Sequence, residues 1–452
     1  MKIIKALLVL STVLVTTQAN ALVRIKIDEG NSEPLPLAIT NLQGNTNIDE
    51  KLGANITKVV EDNLRSSGLF NIIDRNAFLQ TEESLRLNGP NFEDWKRLNV
   101  EGLFTGTSQL QNDDTADALD KKAVIEYRLF DVYSDQQTVG KKYTAKVKFW
   151  RHIANRISDD IYTALTGEKG YFTSRIAYIG ENKITDKRGR QRTIKQLCVM
   201  NQDSSSQQCL TDGRSIVLTP RFSPVEQKIA YLSYANGRPR VYILDLTTGQ
   251  QEVVGAYKGL NAAPRFSPDG KKLLMTLTKD EEGNSEIYQL DLDSKKLKRL
   301  TFSSSSIDTS PSYSPDGKRI VFNSDRAGRP VLYTMDSDGN NIKRLTYGAG
   351  QYYAPVWSPR GDMIAFVKQI YGKFHIGVID IDEDGRASEE RLLTEGFLDE
   401  SPSWSPNGRV IIFARQTKKD TKIYAIDLTG YNLREVPTTT NASDPTWSPL
   451  LK

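Results

Sequence analysis

The 452-residue chain contains few of the side chains that usually perform catalysis or bind metals. His152 and His375 are its two histidines, and it has neither a Gly-x-Ser-x-Gly nor a Gly-x-x-x-x-Gly-Lys-Ser/Thr segment. A Ser-His-Asp arrangement would need one of these imidazoles beside a serine, and the counts of histidine and cysteine nearly exclude zinc sites. Residues 336–340 are polar like a calcium loop but lack its spacing and its terminal glutamate. We therefore predict no catalytic residues, no metal site and no cofactor.

The two cysteines, Cys198 and Cys209, flank a polar stretch at 201–208 that is typical of a hairpin turn. A disulfide between two neighbouring strands and a pair of buried free thiols are both compatible with this spacing.

The charge is close to balanced, with 60 Lys plus Arg against 56 Asp plus Glu. A protein built mainly to neutralise phosphates would carry a larger positive excess. The densest basic run, at 187–192, contains no aromatic residue and is typical of a solvated loop. We therefore predict that nucleic acid is not a partner. Hydrophobic residues make up 38% of the chain, which is enough for a packed core.

The first 21 residues have the pattern of a cleaved signal peptide. Lys2 and Lys5 precede an apolar run at 6–15, and Ala19 and Ala21 are the small residues that a signal peptidase accepts. The run is too short to span a bilayer comfortably. We predict cleavage after Ala21 and an exported mature chain that does not span a membrane.

A five-residue motif, Pro-x-aromatic-Ser-Pro, recurs through the C-terminal two-thirds of the chain. Its copies are 43 to 47 residues apart, which identifies a structural repeat. The six copies begin at Pro220, Pro264, Pro311, Pro355, Pro402 and Pro445.

Each repeat has the composition of four short antiparallel strands. A turn, usually Asp-Gly or Asn-Gly, follows the motif in the first five copies, and two β-rich runs come after it. Four strands in about 45 residues are typical of a β-propeller blade. The sixth copy lies too near the C-terminus to be followed by further strands, so 176–179, 196–203 and 210–211 are predicted to complete its blade. The fold class is therefore mainly β, a six-bladed propeller at 171–452 that the C-terminal strand closes.

The segment at 22–170 is predicted to be a small α+β domain. Apolar residues recur at helical spacing over 52–64, after the candidate cap Asn47, and over 150–165, before Gly167. Strand-like runs lie at 100–110, 123–133 and 139–147.

The segments before each motif are the candidate binding residues, because the first strand of a propeller blade lines the central channel. They differ between copies while the motif does not, which suits recognition of a protein or peptide, although variable turns would look the same. The candidates are Leu260, Asn261, Ala262, Ala263, Asp308, Thr309, Tyr352, Tyr353, Asp399, Glu400, Ser443 and Asp444.

The repeats closely resemble those of the TolB family of the Tol-Pal system in Gram-negative bacteria. The resemblance extends over the whole mature chain, including 23–28, 62–71, 165–170, 175–178 and 445–449. Copy one departs from the pattern because its turn lacks Asp-Gly, and the cysteine pair has no counterpart to which the resemblance assigns a role.

The resemblance implies a periplasmic protein, a monomer within a larger complex, whose channel mouth binds the lipoprotein Pal. It also implies that the first mature residues bind the inner-membrane protein TolA, that the complex supports outer-membrane integrity and cell division, and that colicins can exploit the channel. The TolA-binding candidates are Leu22, Val23, Arg24, Ile25, Lys26 and Ile27, which alternate apolar and polar as a pairing strand does. An exported hydrolase or lyase that acts in the channel is the alternative from another class.

Overall fold

The computed structural model describes residues 33–111, 120–185, 189–279, 283–396 and 398–450. Its N-terminal part contains a five-stranded sheet of β1 (Leu35–Ile39), β2 (Phe70–Ile72), β3 (Gly102–Leu110), β4 (Lys122–Asp131) and β5 (Gln136–Lys146). The strand order is β2-β1-β3-β4-β5, in which β1 is parallel to both neighbours and the rest of the sheet is antiparallel. The three predicted strand segments correspond to β3, β4 and β5, whereas β1 and β2 were not predicted.

Four α-helices accompany this sheet: α1 (Asn47–Ser66), α2 (Glu82–Asn88), α3 (Phe92–Arg97) and α4 (Trp150–Thr166). Single 3-10 turns lie at Arg75–Ala77, Val147–Phe149 and Ala235–Gly237. The two long helices are the predicted ones. α4 is followed directly by Gly167, whose φ of 76° is the left-handed conformation that glycine adopts readily.

The cap of α1 differs from the prediction by one residue. Thr46, not Asn47, precedes the helix, and its hydroxyl accepts a hydrogen bond from the amide of Asp49. The Asp49 carboxylate in turn accepts one from the amide of Thr46. This reciprocal capping box satisfies two backbone donors. Asn47 and Glu50 cannot form it, because Asn47 is already the first residue of the helix.

The propeller contains six four-stranded sheets, as predicted. Blade 6 contains the earliest strands: β6 (Arg175–Thr185), β7 (Gln191–Asn201) and β8 (Gln208–Cys209). Blade 1 is β9 (Val217–Phe222), β10 (Lys228–Ser233), β11 (Arg240–Asp245) and β12 (Gln251–Gly255). Blade 2 is β13 (Asn261–Phe266), β14 (Lys272–Leu277), β15 (Glu286–Asp291) and β16 (Leu297–Arg299).

The remaining blades follow in chain order. Blade 3 is β17 (Asp308–Tyr313), β18 (Arg319–Ser324), β19 (Val331–Asp336) and β20 (Lys343–Arg344). Blade 4 is β21 (Gln351–Trp357), β22 (Met363–Ile370), β23 (Lys373–Ile381) and β24 (Ala387–Leu392). Blade 5 is β25 (Asp399–Trp404), β26 (Val410–Gln416), β27 (Thr421–Asp427) and β28 (Arg434–Val436).

The C-terminal strand β29 (Asn441–Trp447) closes the ring by pairing with β6, with Trp447 opposite Ile176. The closure predicted from the sequence is therefore confirmed, and it removes the two exposed sheet edges that an open ring would have. The fourth strand of this blade lies at 208–209 and not at the predicted 210–211, because Cys209 stands opposite Cys198 in the register.

The repeated serine of the motif explains why the motif recurs. Ser314 donates a hydrogen bond to the Asp316 carboxylate at 2.5 Å and accepts one from the amide of Arg319 at 2.9 Å. Ser267 makes the same contacts in its blade, and Ser405 makes equivalent ones, with the amide oxygen of the Asn407 side chain in place of the carboxylate. The serine thus fixes the turn between the first two strands, and the neighbouring aromatic ring packs in the core. The motif is structural.

The N-terminal part packs against blades 5 and 6 through one continuous apolar cluster that includes Trp447. A buried polar contact joins the two parts, because Gln202 donates to Asn63 of α1 at 2.8 Å and Asn63 donates to Asn155 of α4. Among the described residues, no helix has the length and apolar character required to cross a bilayer.

Candidate functional site

The candidate residues at the channel mouth lie inside the first strands and not before them, except for Leu260, which immediately precedes β13. Each first strand contains a bulge, where the register with the second strand shifts. The residue before the motif proline has a positive φ in all six blades, and these residues are Thr219, Ala263, Ser310, Ala354, Ser401 and Asp444. Blade 1 contributes Leu218 and Thr219, which are not among the residues predicted from the sequence. The bulge therefore sets the same backbone shape around the mouth while the side chains vary.

Four of the predicted contact residues are fully buried, so they are not available to a partner. Asp308 and Asp399 form ion pairs with arginines of the same blade, and Asn261 bonds to the backbone of Tyr257. Tyr352 donates its hydroxyl hydrogen to Glu390 at 2.7 Å. The reason is geometric: each of the four lies three residues before the motif proline, at or next to the start of its strand, where the side chain points into the blade. These four side chains support the mouth.

The ion pairs in blades 3 and 5 are equivalent. Arg326 lies 2.5 Å from Asp308, and Arg415 contacts both carboxylate oxygens of Asp399, at 2.7 and 2.8 Å. Burial raises the pKa of Asp308 despite the nearby arginine, and the hydrogen bonds to Asp399 raise the pKa of Arg415. A charge reversal at Asp308 would therefore test the stability of the blade and not contact with a partner.

The other candidates keep exposed surface at the mouth: Leu260, Ala262, Ala263, Thr309, Tyr353, Glu400, Ser443 and Asp444. Asp444 joins three blades, because its carboxylate accepts hydrogen bonds from the Ser401 hydroxyl at 2.8 Å and from the Thr219 amide at 3.3 Å. Limited hydration, reinforced by the Asp444 carboxylate, raises the pKa of Glu400. This side of the mouth is acidic.

An exposed apolar surface on the same face was missed in the sequence. It consists of Phe302, Ile307, Tyr347 and Tyr371, which we call the rim arc. Phe302 and Tyr347 lie in loops that lead into first strands, and Tyr371 follows the end of β22, which pairs with the start of β21. Blades 2 to 4 therefore carry these side chains on the face of the propeller that contains the channel mouth. The Arg-Leu-Thr-aromatic sequence, present at 299–302 and 344–347, was the available signal.

The rings of Phe302 and Tyr347, the two rim-arc residues in loops, are held by the same kind of arginine contact. The guanidinium of Arg299 lies 4.8 Å from the centre of the Phe302 ring, and that of Arg344 lies 4.6 Å from the Tyr347 ring. Each arginine also donates from Nε to the carbonyl of the threonine between them, at 2.8 and 2.7 Å. The rings remain 74% and 72% exposed, so they are positioned without being buried.

Two arginines lie further inside the channel. Arg221 and Arg265 follow the motif proline in blades 1 and 2, and both line a cavity of about 360 Å³ that all six motifs border. Desolvation lowers the pKa of both guanidinium groups, and their mutual repulsion adds to the effect at Arg265.

The histidines lie away from these channel residues. Nδ1 of His375 is 2.7 Å from the Thr394 carbonyl oxygen in blade 4, and His152 is on α4, where burial and nearby Arg156 lower its pKa. In the channel mouth the Ser401 hydroxyl donates to a carboxylate and not to an imidazole. No group of three His, Cys, Asp or Glu suited to a metal ion is found in the described ranges.

The remaining candidates lie outside the mouth. The structure joins Cys198 and Cys209 by a disulfide between β7 and β8. The predicted cleavage residue Ala21 and the N-terminal strand candidates Leu22, Val23, Arg24, Ile25, Lys26 and Ile27 lie outside the described residues.

The molecule is thus a six-bladed β-propeller preceded by a region that combines α-helices with a mixed sheet. The pattern of the TolB beta propeller domain matches residues 162–451, and that of the TolB amino-terminal domain matches residues 23–138. The chain belongs to the TolB family. It is 41% identical, over 94% of its length and 88% of the relative's, to the Tol-Pal system protein TolB of Gluconobacter oxydans (strain 621H). The crystal structure of TolB from Acinetobacter baumannii is similar, with 30% identity, a TM-score of 0.78, and coverage of 93% of this chain and 98% of that one.

Proposed function

We propose that this chain is a non-catalytic periplasmic scaffold of the Tol-Pal system. It binds the lipoprotein Pal at the channel mouth and TolA through its N-terminal segment, and so supports outer-membrane integrity and constriction during cell division. Colicins exploit the same channel. Family membership supports the system, since the relative from Gluconobacter oxydans is named a Tol-Pal system protein. The propeller acts as a monomer within this larger complex.

The observation that carries the Pal proposal is the rim arc beside the open mouth. Large exposed apolar side chains that lie together are typical of protein–protein interfaces, and aromatic residues dominate the binding energy of such interfaces. Tyr371 is 95% exposed. With Gly372 it forms the two-residue turn that joins β22 to β23, where Ile370 pairs with Lys373, and such a turn requires a positive φ at both of its residues. The turn accounts for the φ of 51°, whereas the exposed ring is available to a bound partner.

The acidic side of the mouth would fix the orientation in which a partner binds. Glu400 and Asp444 belong to blades 5 and 6, whereas the rim arc spans blades 2 to 4. A partner that places apolar side chains on the rim arc and basic or hydrogen-bonding groups on the opposite side would bind in one orientation. The apolar contacts supply affinity, and the acidic side supplies specificity.

The test compares Pal binding by the intact chain and by Phe302→Ser with Tyr347→Ser. Two lost aromatic contacts should weaken binding by about a hundredfold or more, measured by calorimetry with purified Pal. Tyr431→Ser is the matched control, because Tyr431 is 58% exposed but lies in a turn between third and fourth strands, on the opposite face. Equal affinity of the rim variant and the control would rule out the rim arc as the Pal surface.

The TolA proposal rests on the alternating sequence at 22–27 and on the family. Deletion of residues 22–33 should abolish TolA binding in a pull-down while thermal unfolding of the remaining chain is unchanged. Undiminished capture by immobilised TolA would contradict it.

A further inference from the structure

The two arginines in the channel, Arg221 and Arg265, stand where the other blades have small or neutral side chains. They occupy the same position of the motif in neighbouring blades, so they are adjacent on the channel wall. The corresponding residues of the other four blades are Ser312, Val356, Ser403 and Thr446. Two of six equivalent positions therefore carry positive charge, and both lie on one side of the channel.

Neither channel arginine has an ion pair with a described residue. Nη1 of Arg221 donates to the carbonyl of Pro220 at 2.6 Å, and the guanidinium of Arg265 makes no hydrogen bond within the described part of the chain. Asp444 is the acid that favours the charged form of Arg221, but its oxygens already accept from Ser401 and Thr219. The guanidinium groups thus keep most of their donors free.

This arrangement is unfavourable without a ligand. Both side chains are partly buried and line the channel cavity, so water hydrates them incompletely. Two like charges in such a place repel each other more than they would in bulk water. An anion between them would remove the repulsion and would use their planar donor forks, which match the oxygens of carboxylate, phosphate and sulfate.

We propose that Arg221 and Arg265 together form an oxyanion-binding site inside the channel. The shared chemistry is a group with two or more negatively charged oxygens, supplied by a free inorganic anion or by the carboxylate of a polypeptide inserted into the channel. The cavity of about 360 Å³ lies at the small end of ligand sites, which fits an ion or one side chain. The site does not depend on Pal and would exist even if Pal binds elsewhere.

The experiment uses the full mature chain at constant ionic strength, with chloride replaced stepwise by sulfate. Thermal unfolding and calorimetry should show saturable binding of sulfate. The double variant Arg221→Ser with Arg265→Ser should bind at least about tenfold more weakly, because charged donors provide most of the affinity. Serine occupies the same position of the motif in blades 3 and 5, as Ser312 and Ser403, so we expect a blade to tolerate it there. Unfolding without sulfate verifies that the variant is folded.

The matched control removes two arginines from the surface, Arg214→Ser with Arg238→Ser, both of which are exposed. A second titration uses the peptide acetyl-Gly-Glu-Gly-amide, with the Gln analogue as its neutral counterpart. Sulfate binding that is lost only in the channel variant supports a free inorganic anion. Binding of the Glu peptide but not the Gln peptide, with the same loss, supports a polypeptide carboxylate. The proposal is overturned if neither probe binds saturably, or if the channel variant binds as well as the control.

Discussion

The arginines near the channel differ in their partners: those of blades 3 and 5 form buried ion pairs, whereas those of blades 1 and 2 form none within the described ranges. Arg326 and Arg415 are each paired with an aspartate that has no exposed surface, whereas Arg221 and Arg265 face the channel without an ion pair to a described residue. The paired arginines also lie about 5 Å from tyrosine rings of their own blades. The same residue type is therefore part of the framework in one half of the ring and open to a ligand in the other.

The difference follows from where each residue sits on its strand. Arg326 and Arg415 come at or just beyond the end of a second strand, where they reach back to the first residue of the first strand across the register. Arg221 and Arg265 are on the first strand itself, past the bulge, and no acid of their own blade is in the equivalent position. Position, more than charge, decides which arginines a ligand can reach.

The largest expected effect is the loss of a buried pair. Asp399→Ala would leave the Arg415 guanidinium, which is 18% exposed, without its two short hydrogen bonds. Breaking a buried pair from one side costs about 3 kcal/mol of unfolding free energy or more. Denaturant unfolding measures it, with the exposed Asp382→Ala as control. A loss no greater than the control's would remove the distinction between the two kinds of arginine.

A second prediction concerns pH. Arg326→Met removes the positive charge beside Asp308, whose pKa burial already raises above the ordinary 3.8. The pKa of this carboxyl should rise further, so the folded protein would hold the proton at pH values where the unfolded chain has lost it. The unfolding free energy of the variant should therefore decrease as the pH rises from about 4 toward 7, by more than in the unaltered protein.

The measurement is denaturant unfolding at a series of pH values, with Arg265→Met as the matched arginine substitution. Arg265 has no buried acid beside it in its own blade, so this control should not steepen the pH dependence. Parallel pH profiles for the two variants would mean that Arg326 does not lower the pKa of Asp308.

The repeat made most of the fold predictable. Six copies of one motif at regular spacing required six blades, and the position of the last copy required closure by an earlier segment, because a single strand cannot form a blade. The short helices α2 and α3 were missed because seven and six residues are too few to establish a helical period. Thr46 was missed as the cap because Asn47 beside it has an equally suitable side chain.

The site was less predictable because burial depends on pairing. Asp308 and Asp399 looked like rim residues, and only the register with the second strand places Arg326 and Arg415, 18 and 16 residues later, beside them. The rim arc could have been found from the aromatic residues that follow two copies of Leu-Thr. The channel arginines could also have been found, since the second position of the motif varies between copies and is arginine in two of them. That these two arginines lack an ion pair to the residues that the structure describes could not have been predicted from the sequence.

The smallest expected effect is on the stability of the channel itself. Arg265→Ser should change the unfolding free energy by less than about 1 kcal/mol in a buffer without oxyanions, because the removed charge was repelled by Arg221 and had no ion pair to lose. Adding sulfate should stabilise the unaltered protein more than the variant, since a ligand that binds only the folded state raises its stability with concentration. Denaturant unfolding with and without sulfate, at equal ionic strength, gives both values. A loss in sulfate-free buffer as large as that of Asp399→Ala would place Arg265 in the framework with Arg415, and the contrast between the two halves of the ring would then disappear.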